Sequence, residues 1–166
     1  MIIVSPLHKT GQLVADKDIT HVIGLLGPEM DHPVLPGIRE ENRLRLSFND
    51  ISRPVDGMVC AGARDVSTLI DFVHRAGISA RLLIHCWAGV SRSTAAAYIA
   101  RCALYPETCE AELATRLRAL SPTATPNRLM VAHADQILGR NGAMTAAIEA
   151  IGCGEYCYEG NVFEWV

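Results

Sequence analysis

The chain has 166 residues, of which 49% are hydrophobic and 20% are charged, a composition typical of globular proteins and not of disordered ones. A net charge of −3 without a polybasic run gives no general attraction to nucleic acid or to an anionic membrane surface. With no apolar stretch of membrane-spanning length and no signal-peptide core after Met1, the sequence predicts one soluble, cytoplasmic unit over residues 1–166.

Four short apolar segments predict the strands of a sheet. The first two, IIVSPL from residue 2 and THVIGLLG from residue 20, are bounded by polar residues, glycine or proline. In residues 42–48, apolar and polar side chains alternate, which predicts a strand with one solvent-exposed face. The fourth segment, residues 80–86, is apolar on both faces and is therefore expected at the centre of the sheet.

Apolar residues at helical spacing predict five helices. These segments are Val66–Val73, residues 93–104, Leu113–Leu120, Met130–Leu138 and Met144–Ile151. Gly77 is expected to end the first helix, while Pro106 and Pro126 are expected to open the third and fourth. Strands alternate with helices early in the chain and helices accumulate later. The pattern predicts an α/β three-layer sandwich, with a mostly parallel sheet of four to five strands flanked by helices.

The sequence HCWAGVSRS, residues 85–93, lies between the central strand and the helix that follows it; we call it the signature loop. Ligands of open α/β sheets bind beyond the carboxyl ends of the strands, which is where Cys86 lies. The loop is long enough to turn its N–H groups toward one centre, and Gly89 can take the positive φ that this requires. Converging amides and a helix N-terminus bind anions, and Arg92 adds a planar fork suited to phosphate oxygens. The expected phosphate-binding residues are Trp87, Ala88, Gly89, Val90, Ser91 and Arg92.

The same amides and the Arg92 guanidinium favour the thiolate form of Cys86. The sequence therefore predicts an ionised sulfur nucleophile in a pocket shaped for phosphate, whose phosphorus it attacks. The alternative is a buried structural thiol beside a surface arginine, which the chemistry of the loop disfavours. Cys153 and Cys157 have no second closely spaced pair of ligands, so neither a metal site nor a cofactor is predicted.

Residues 85–93 match the signature His-Cys-x-x-Gly-x-x-Arg-Ser/Thr of the cysteine-dependent protein tyrosine phosphatases at every defined position. The strand before, the alanine-rich helix after and the mid-chain position resemble the compact dual-specificity branch, and the chain looks like a small bacterial-type member. The resemblance implies a protein-tyrosine-phosphatase-like fold, with Cys86 as nucleophile and Arg92 as phosphate clamp. It also implies that Ser93 bonds the sulfur and helps it to leave, and that His85 fixes the loop from behind.

The resemblance further implies a catalytic acid, an aspartate on a loop that precedes the cysteine. Two residues qualify by their distance from the cysteine along the chain. Asp50, 36 residues before Cys86, directly follows the alternating strand, and Asp56, 30 residues before it, lies in the sequence PVDG. Asp50 is favoured because it lies at the edge of the sheet where the signature loop opens, although an Asx turn would also explain it. Asp56 is the alternative acid, and a turn before Gly57 accounts for it equally well.

Several features bear on the substrate. The variable positions of the signature loop carry no charge, which favours singly phosphorylated substrates, most simply phosphotyrosine in a protein or peptide. Trp87 is expected either at the rim of the pocket or packed below the loop. Asn127 is expected either to hold the loop or the acid segment, or only to supply the polar first turn of a helix. Arg39, Arg43 and Arg45 either meet an acidic peptide or belong to the solvent-exposed face of the strand, with Glu40 and Glu41 nearby.

The C-terminal tail, residues 152–166, contains Tyr156, Tyr158, Phe163 and Trp165. Such a tail is expected to dock onto its own domain, although a dimer contact or a cover over the active site would use the same residues. The sequence therefore predicts a phosphomonoester hydrolase of the tyrosine or dual-specificity type, acting through a phosphocysteine intermediate. A phosphate-binding module with weak or no turnover, and a thiol-based sulfurtransferase or arsenate reductase, are the alternatives.

Overall fold

The computed structural model describes residues 1–166 as a five-stranded sheet with six helices. The strands are β1 (Ile2–Pro6), β2 (His21–Leu26), β3 (Arg43–Ser47), β4 (Leu82–Cys86) and β5 (Phe163–Trp165). The helices are α1 (Thr10–Asp16), α2 (Ala63–Ala76), α3 (Arg92–Leu104), α4 (Glu110–Leu120), α5 (Arg128–Ile137) and α6 (Ala143–Ile151). Single 3-10 turns at Leu7–Lys9 and Glu40–Asn42 precede α1 and β3.

The strands lie in the order β3-β2-β4-β1-β5, and all are parallel to their neighbours except β5, which runs antiparallel to β1. The mostly parallel sheet predicted from the sequence is confirmed, and β4 occupies its centre. Pro6 at the end of β1 pairs with Cys86 at the end of β4, and β2 ends beside β3. The carboxyl ends of four strands therefore meet at one edge of the sheet.

Helices cover the two faces of the sheet unequally. The larger core packs α2 to α6 against one face, through side chains such as Ile23 and Ile84. The smaller core, on the opposite face, packs Ile3 and Leu83 against α1 and the irregular segment 27–38. Alanines dominate α3 because this helix is buried on all sides and small side chains let its neighbours approach closely. None of the helices combines the length and apolarity needed to cross a bilayer.

The predictions that prolines open two helices are wrong. Pro106 belongs to a turn closed by the Thr108 N–H on the Tyr105 carbonyl, and α4 begins only at Glu110. Pro126 precedes the N-cap residue of α5, which is Asn127. In α5 the helix begins where a side-chain oxygen can accept one of its free N–H groups, which proline cannot offer.

Sequence patterns missed α1 and β5. The helix α1 has seven residues, of which only Thr10 is fully buried, while Leu13 and Val14 pack half-buried against the smaller core. The strand β5 has three residues, of which Phe163 and Trp165 are buried and Glu164 is exposed. A single alternation is too short to distinguish a strand from a loop. The tail does dock onto its own sheet, which was the first of the three roles expected for it.

Candidate active site

The signature loop connects the end of β4 to the start of α3, at the edge of the sheet where the parallel strands end. Gly89 has a φ of 74°. A Cβ atom at this position would lie 2.8 Å from the backbone nitrogen of Pro6, so β1 approaches too closely for any other residue. The positive φ expected at Gly89 is confirmed.

Four carbonyl groups of the signature loop accept hydrogen bonds from backbone amides of other segments. The pairs are Trp87 with Leu7 (3.1 Å), Ala88 with Gly160 (2.9 Å), Val90 with Thr125 (3.0 Å) and Ser91 with Asn127 (3.3 Å). The C=O and N–H of a trans peptide unit point in opposite directions. The N–H groups that follow these carbonyls therefore point to the inside of the loop, where they form a concave site for an anion.

The Cys86 sulfur lies inside this ring of amides and is buried. The Gly89 N–H donates to Sγ at 3.2 Å, and the Ser93 hydroxyl lies 3.1 Å from the same atom. Both groups can stabilise negative charge on sulfur, since each can place a positive hydrogen against it. The contact between Ser93 and the sulfur that the family resemblance implied is present.

Arg92, in the first turn of α3, reaches toward the end of β3. One terminal nitrogen of its guanidinium donates to the Phe48 carbonyl at 2.8 Å, which fixes the orientation of the fork. Its buried Nε atom has no hydrogen-bond partner within the protein and lies 3.9 Å from Asp50 Oδ2. The guanidinium therefore lines the cleft in an orientation that the Phe48 carbonyl fixes, and its planar fork is of the kind that binds oxyanions.

Asp50 lies in the same cleft, three residues after the end of β3. Its Oδ1 atom accepts hydrogen bonds from the Ser91 hydroxyl at 2.7 Å and from the Asn127 amide at 2.9 Å. Asp56 is exposed, in a turn that continues through Gly57, and it does not line the cleft. Of the two aspartates considered, only Asp50 therefore lines the cleft together with Cys86 and Arg92.

Asn127 has both of the roles that the sequence left open. Its side-chain oxygen accepts the Met130 N–H at 3.1 Å and caps α5. Its side-chain amide donates to Asp50 and, at 3.2 Å, to the Ile51 carbonyl. The N-terminus of α5 thus holds the start of the segment that carries Asp50.

The cleft has a volume of about 410 Å³ and opens to solvent. It is lined by Gly27, Glu29, Met30, Asn49, Asp50, Cys86, Trp87, Ala88, Val90, Ser91 and Arg92. Trp87 is 45% exposed and stands at the rim, which decides between the two positions expected for it. Gly89 does not line the cleft, because a side chain at this position would point toward β1. It contributes only its amide group.

No protein-family model and no curated protein matches the chain. Solved structures do match it. The chain is 19% identical to DUSP15, with a TM-score of 0.63 over 90% of this chain and 89% of that chain. It is 15% identical to human DUSP28, with a TM-score of 0.62 over 90% of this chain and 94% of that chain. This is the fold of the dual-specificity phosphatases.

The dual-specificity phosphatase fold confirms the protein-tyrosine-phosphatase-like architecture expected from the signature loop. A third structure with this fold is the human tyrosine phosphatase-like serine/threonine/tyrosine-interacting protein. It is 15% identical, with a TM-score of 0.65 over 84% of this chain and 92% of that chain. Because its name describes a phosphatase-like interacting protein, the dual-specificity phosphatase fold does not by itself establish catalysis.

His85 lies behind the signature loop, as the resemblance implied, and is packed against Gly24 and His32. A Cβ atom on Gly24 would lie 2.7 Å from His32 Nδ1 and 2.8 Å from His85 Nε2, so the two rings occupy the space that glycine leaves. Burial, together with the nearby His32, lowers the pKa of His85 to about 4. The His85 ring is therefore neutral at pH 7.

The three arginines considered for substrate binding are engaged elsewhere, and Arg39 forms an ion pair with Glu41 at 3.1 Å. Arg43 donates to the Leu35 and Ile38 carbonyls, and Arg45 forms an ion pair with Glu40. The simpler explanation, a solvent-exposed face with neighbouring glutamates, fits Arg39 and Arg45, whereas Arg43 is largely buried against the segment that carries Leu35 and Ile38.

Sequence reasoning missed Glu29 and Met30, which form one wall of the cleft. They follow β2, which pairs with β4, so they lie at the same edge of the sheet as Cys86. The rule that ligands bind beyond the carboxyl ends of parallel strands could have indicated them.

Proposed function

We propose that the protein hydrolyses phosphate monoesters through a phosphocysteine intermediate, as a protein tyrosine or dual-specificity phosphatase. The observation that carries this proposal is the meeting of Cys86, Arg92 and Asp50 in one cleft. A thiol can attack phosphorus, a guanidinium can hold two phosphate oxygens, and a carboxyl group can exchange a proton with the ester oxygen.

In the first step, the Cys86 thiolate attacks phosphorus, so that a P–S bond forms while the P–O bond to the leaving group breaks. Asp50, in its acid form, gives its proton to the departing oxygen. The inward amides of the signature loop and Arg92 bind the equatorial oxygens and stabilise the charge on them in the transition state.

In the second step, a water molecule attacks phosphorus and gives a proton to the Asp50 carboxylate. A P–O bond forms, the P–S bond breaks, and inorganic phosphate and the Cys86 thiolate are released. The Ser93 hydroxyl, 3.1 Å from Sγ, stabilises the negative charge that returns to sulfur. Asp50 ends in the acid form in which it began, so the cycle closes.

We propose a singly phosphorylated protein or peptide as substrate, with phosphotyrosine as the preferred residue. Arg92 is the one cationic side chain among those that line the cleft, and no second positive charge is placed for another phosphate. Met30, Trp87, Ala88 and Val90 give the cleft apolar walls suited to an aromatic ring. A cytoplasmic location belongs to the same proposal, and cell fractionation tests it.

The alternatives make different demands on the site. A binding module would hold phosphate without turnover and would need no acid. The presence of Asp50 in the cleft therefore favours an enzyme. An arsenate reductase that relays electrons between its own thiols needs a second sulfur near Cys86, and none of the other cysteines lines the cleft. These observations favour phosphoester hydrolysis.

The test compares wild-type protein with Cys86→Ser and Cys102→Ser on para-nitrophenyl phosphate. Cys102 is a buried thiol in α3 outside the cleft and serves as the matched control. We expect turnover to fall by about 10⁴-fold or more in Cys86→Ser, because the nucleophile is lost, and to be retained in Cys102→Ser. Turnover by Cys86→Ser equal to that of wild type would contradict the proposal. A phosphopeptide panel then ranks phosphotyrosine against phosphoserine and phosphothreonine.

A further inference from the structure

The C-terminal tail is fixed at both of its ends. At its start, the Arg118 guanidinium donates to the carbonyls of residues 151–153, and the Glu155 N–H donates to the Pro122 carbonyl at 3.0 Å. At its end, β5 pairs with β1 through Phe163, Glu164 and Trp165. The residues between these two anchors pass along the outside of the signature loop.

Two contacts join the middle of the tail to the signature loop. The Gly160 N–H donates to the Ala88 carbonyl at 2.9 Å. The Tyr158 ring meets the Trp87 ring edge to face, with 5.4 Å between centroids and 78° between planes. Gly160 is buried, and a Cβ atom on it would lie 2.9 Å from the Gly89 carbonyl oxygen. At Gly160, the backbone of the tail therefore lies so close to the signature loop that no side chain fits between them.

The hydrogen bond from Gly160 is made to the same peptide unit whose N–H donates to the Cys86 sulfur. The Ala88 carbonyl and the Gly89 N–H belong to one peptide unit, whose two polar groups point in opposite directions. Gly160 holds the carbonyl side, and the N–H side donates to Cys86 Sγ at 3.2 Å. A bond on the carbonyl fixes the rotation of this plane and polarises its N–H.

We propose that the tail is a working part of the active site, in which Gly160 and Tyr158 are positioning residues. Gly160 keeps the Gly89 amide directed at the Cys86 sulfur, and Tyr158 keeps Trp87 at the rim of the cleft. Closing the sheet does not explain these contacts, because β5 pairs with β1 without either residue. This inference rests on the proposed role of Cys86 as the nucleophile.

The experiment compares Gly160→Ala and Tyr158→Ala with Tyr156→Ala in the full-length chain. Tyr156 is a tail residue that is fully exposed and has no aromatic partner, so it is the matched control. Three quantities are measured: thermal unfolding, orthovanadate affinity by tryptophan fluorescence, and the rate at which iodoacetate alkylates Cys86 at pH 6, followed by peptide mass spectrometry. None of them requires turnover.

We expect Gly160→Ala to weaken vanadate binding and to slow Cys86 alkylation by about tenfold each, since one donor to the bound charge is displaced. Tyr158→Ala is expected to have a smaller effect, about threefold, because its contact with Trp87 is a single aromatic pair. The melting temperature is expected to change little in Tyr158→Ala, and Tyr156→Ala should match wild type in all three measurements.

Vanadate affinity and alkylation unchanged in a folded Gly160→Ala protein would overturn the proposal. If Gly160→Ala does not fold, Tyr158→Ala decides it: wild-type values for this variant would overturn it equally. Failure of the proposed function gives a different result. In that case wild type binds vanadate and is alkylated at Cys86 without hydrolysing any phosphoester, and the effects of the tail variants on binding and alkylation are still measured.

Discussion

The side-chain amide of Asn127 donates a hydrogen bond of 2.9 Å to Oδ1 of Asp50, a residue 77 positions earlier in the chain. Through this bond, the N-cap residue of α5 sets the position of a carboxyl group that lines the same cleft as Cys86. The Ser91 hydroxyl donates to the same oxygen. The proposed acid is thus held from the signature loop and from a separate helix, so that its distance to the phosphate site depends on both.

The first prediction concerns the choice of acid. Asp50→Asn is expected to lower kcat by about 10²- to 10⁴-fold on phenyl phosphate, whose leaving group needs a proton. The loss should be smaller on an ester with an acidic phenol, because that oxygen can leave unprotonated. Asp56→Asn, an exposed carboxylate outside the cleft, is the control. Loss of activity in Asp56→Asn alone would reverse the assignment.

The second prediction separates the two roles of Asn127. Asn127→Ala removes the cap of α5 and the donor to Asp50, so it should lower stability by about 1 kcal/mol and also lower activity. Asn127→Ser keeps a capping oxygen but lacks the amide that reaches Asp50. It should regain part of the stability lost in Asn127→Ala, as measured by urea unfolding, while kcat stays about tenfold below wild type. Full activity in Asn127→Ser would show that the bond to Asp50 does not matter.

The third prediction follows from the lowered pKa of His85. Its pKa is about 4 in the folded protein and near 6.5 in an unfolded chain. Between these values the unfolded chain binds a proton that the folded protein does not. The contribution of His85 to the free energy of unfolding is therefore fully present above about pH 6.5. It is lost as the pH falls toward 4, and the loss for this one group is about 3 kcal/mol.

Urea unfolding of wild type and of His85→Gln between pH 7 and pH 4 measures this effect. The glutamine variant lacks the ionisation, so its stability should fall less steeply over the same range. Burial and Arg45 lower the pKa of His32 as well, which adds a loss of the same sign in both proteins. Parallel curves for the two proteins would argue against a neutral, buried His85.

The fourth prediction concerns the space behind the signature loop. Gly24→Ala places a methyl group 2.7 Å from His32 and 2.8 Å from His85, so a ring must move in a packed region. We expect a loss of about 1–3 kcal/mol in unfolding free energy. Gly11→Ala is the matched control, since nothing lies within 4 Å of that position in α1. It should instead stabilise the helix by about 0.5–1 kcal/mol.

The parts of the site that the sequence could indicate are those built from adjacent residues. The run from β4 through Cys86 to Arg92 is continuous, so the strand, the glycine turn and the helix start leave a pattern that can be recognised. The need for an acid came from the family resemblance, and Asp50 was then chosen by its position directly after an alternating strand. The choice against Asp56 used position alone, and the structure adds the observation that this residue is exposed in a turn.

The parts that the sequence could not indicate depend on long-range contacts or on backbone atoms. The backbone amides of Leu7, Thr125 and Gly160 donate hydrogen bonds to the signature loop. Because almost every residue type has a backbone N–H, no sequence pattern indicates which residues make such contacts. Strand β5 pairs with β1 over three residues, and only its partner reveals that it is a strand. Glu29 and Met30 reach the cleft because β2 lies beside β4, which is a property of the sheet order.

The separation of these amides along the chain has a consequence for biosynthesis. A growing polypeptide exposes Cys86 long before the ribosome has added Gly160, whose amide completes the outer hydrogen bonds of the loop. Domains generally fold as units during or after synthesis, so a nascent chain carries this thiol without its full set of donors. The reactivity of the sulfur should therefore appear only after Gly160 has been synthesised and its amide has docked on the Ala88 carbonyl.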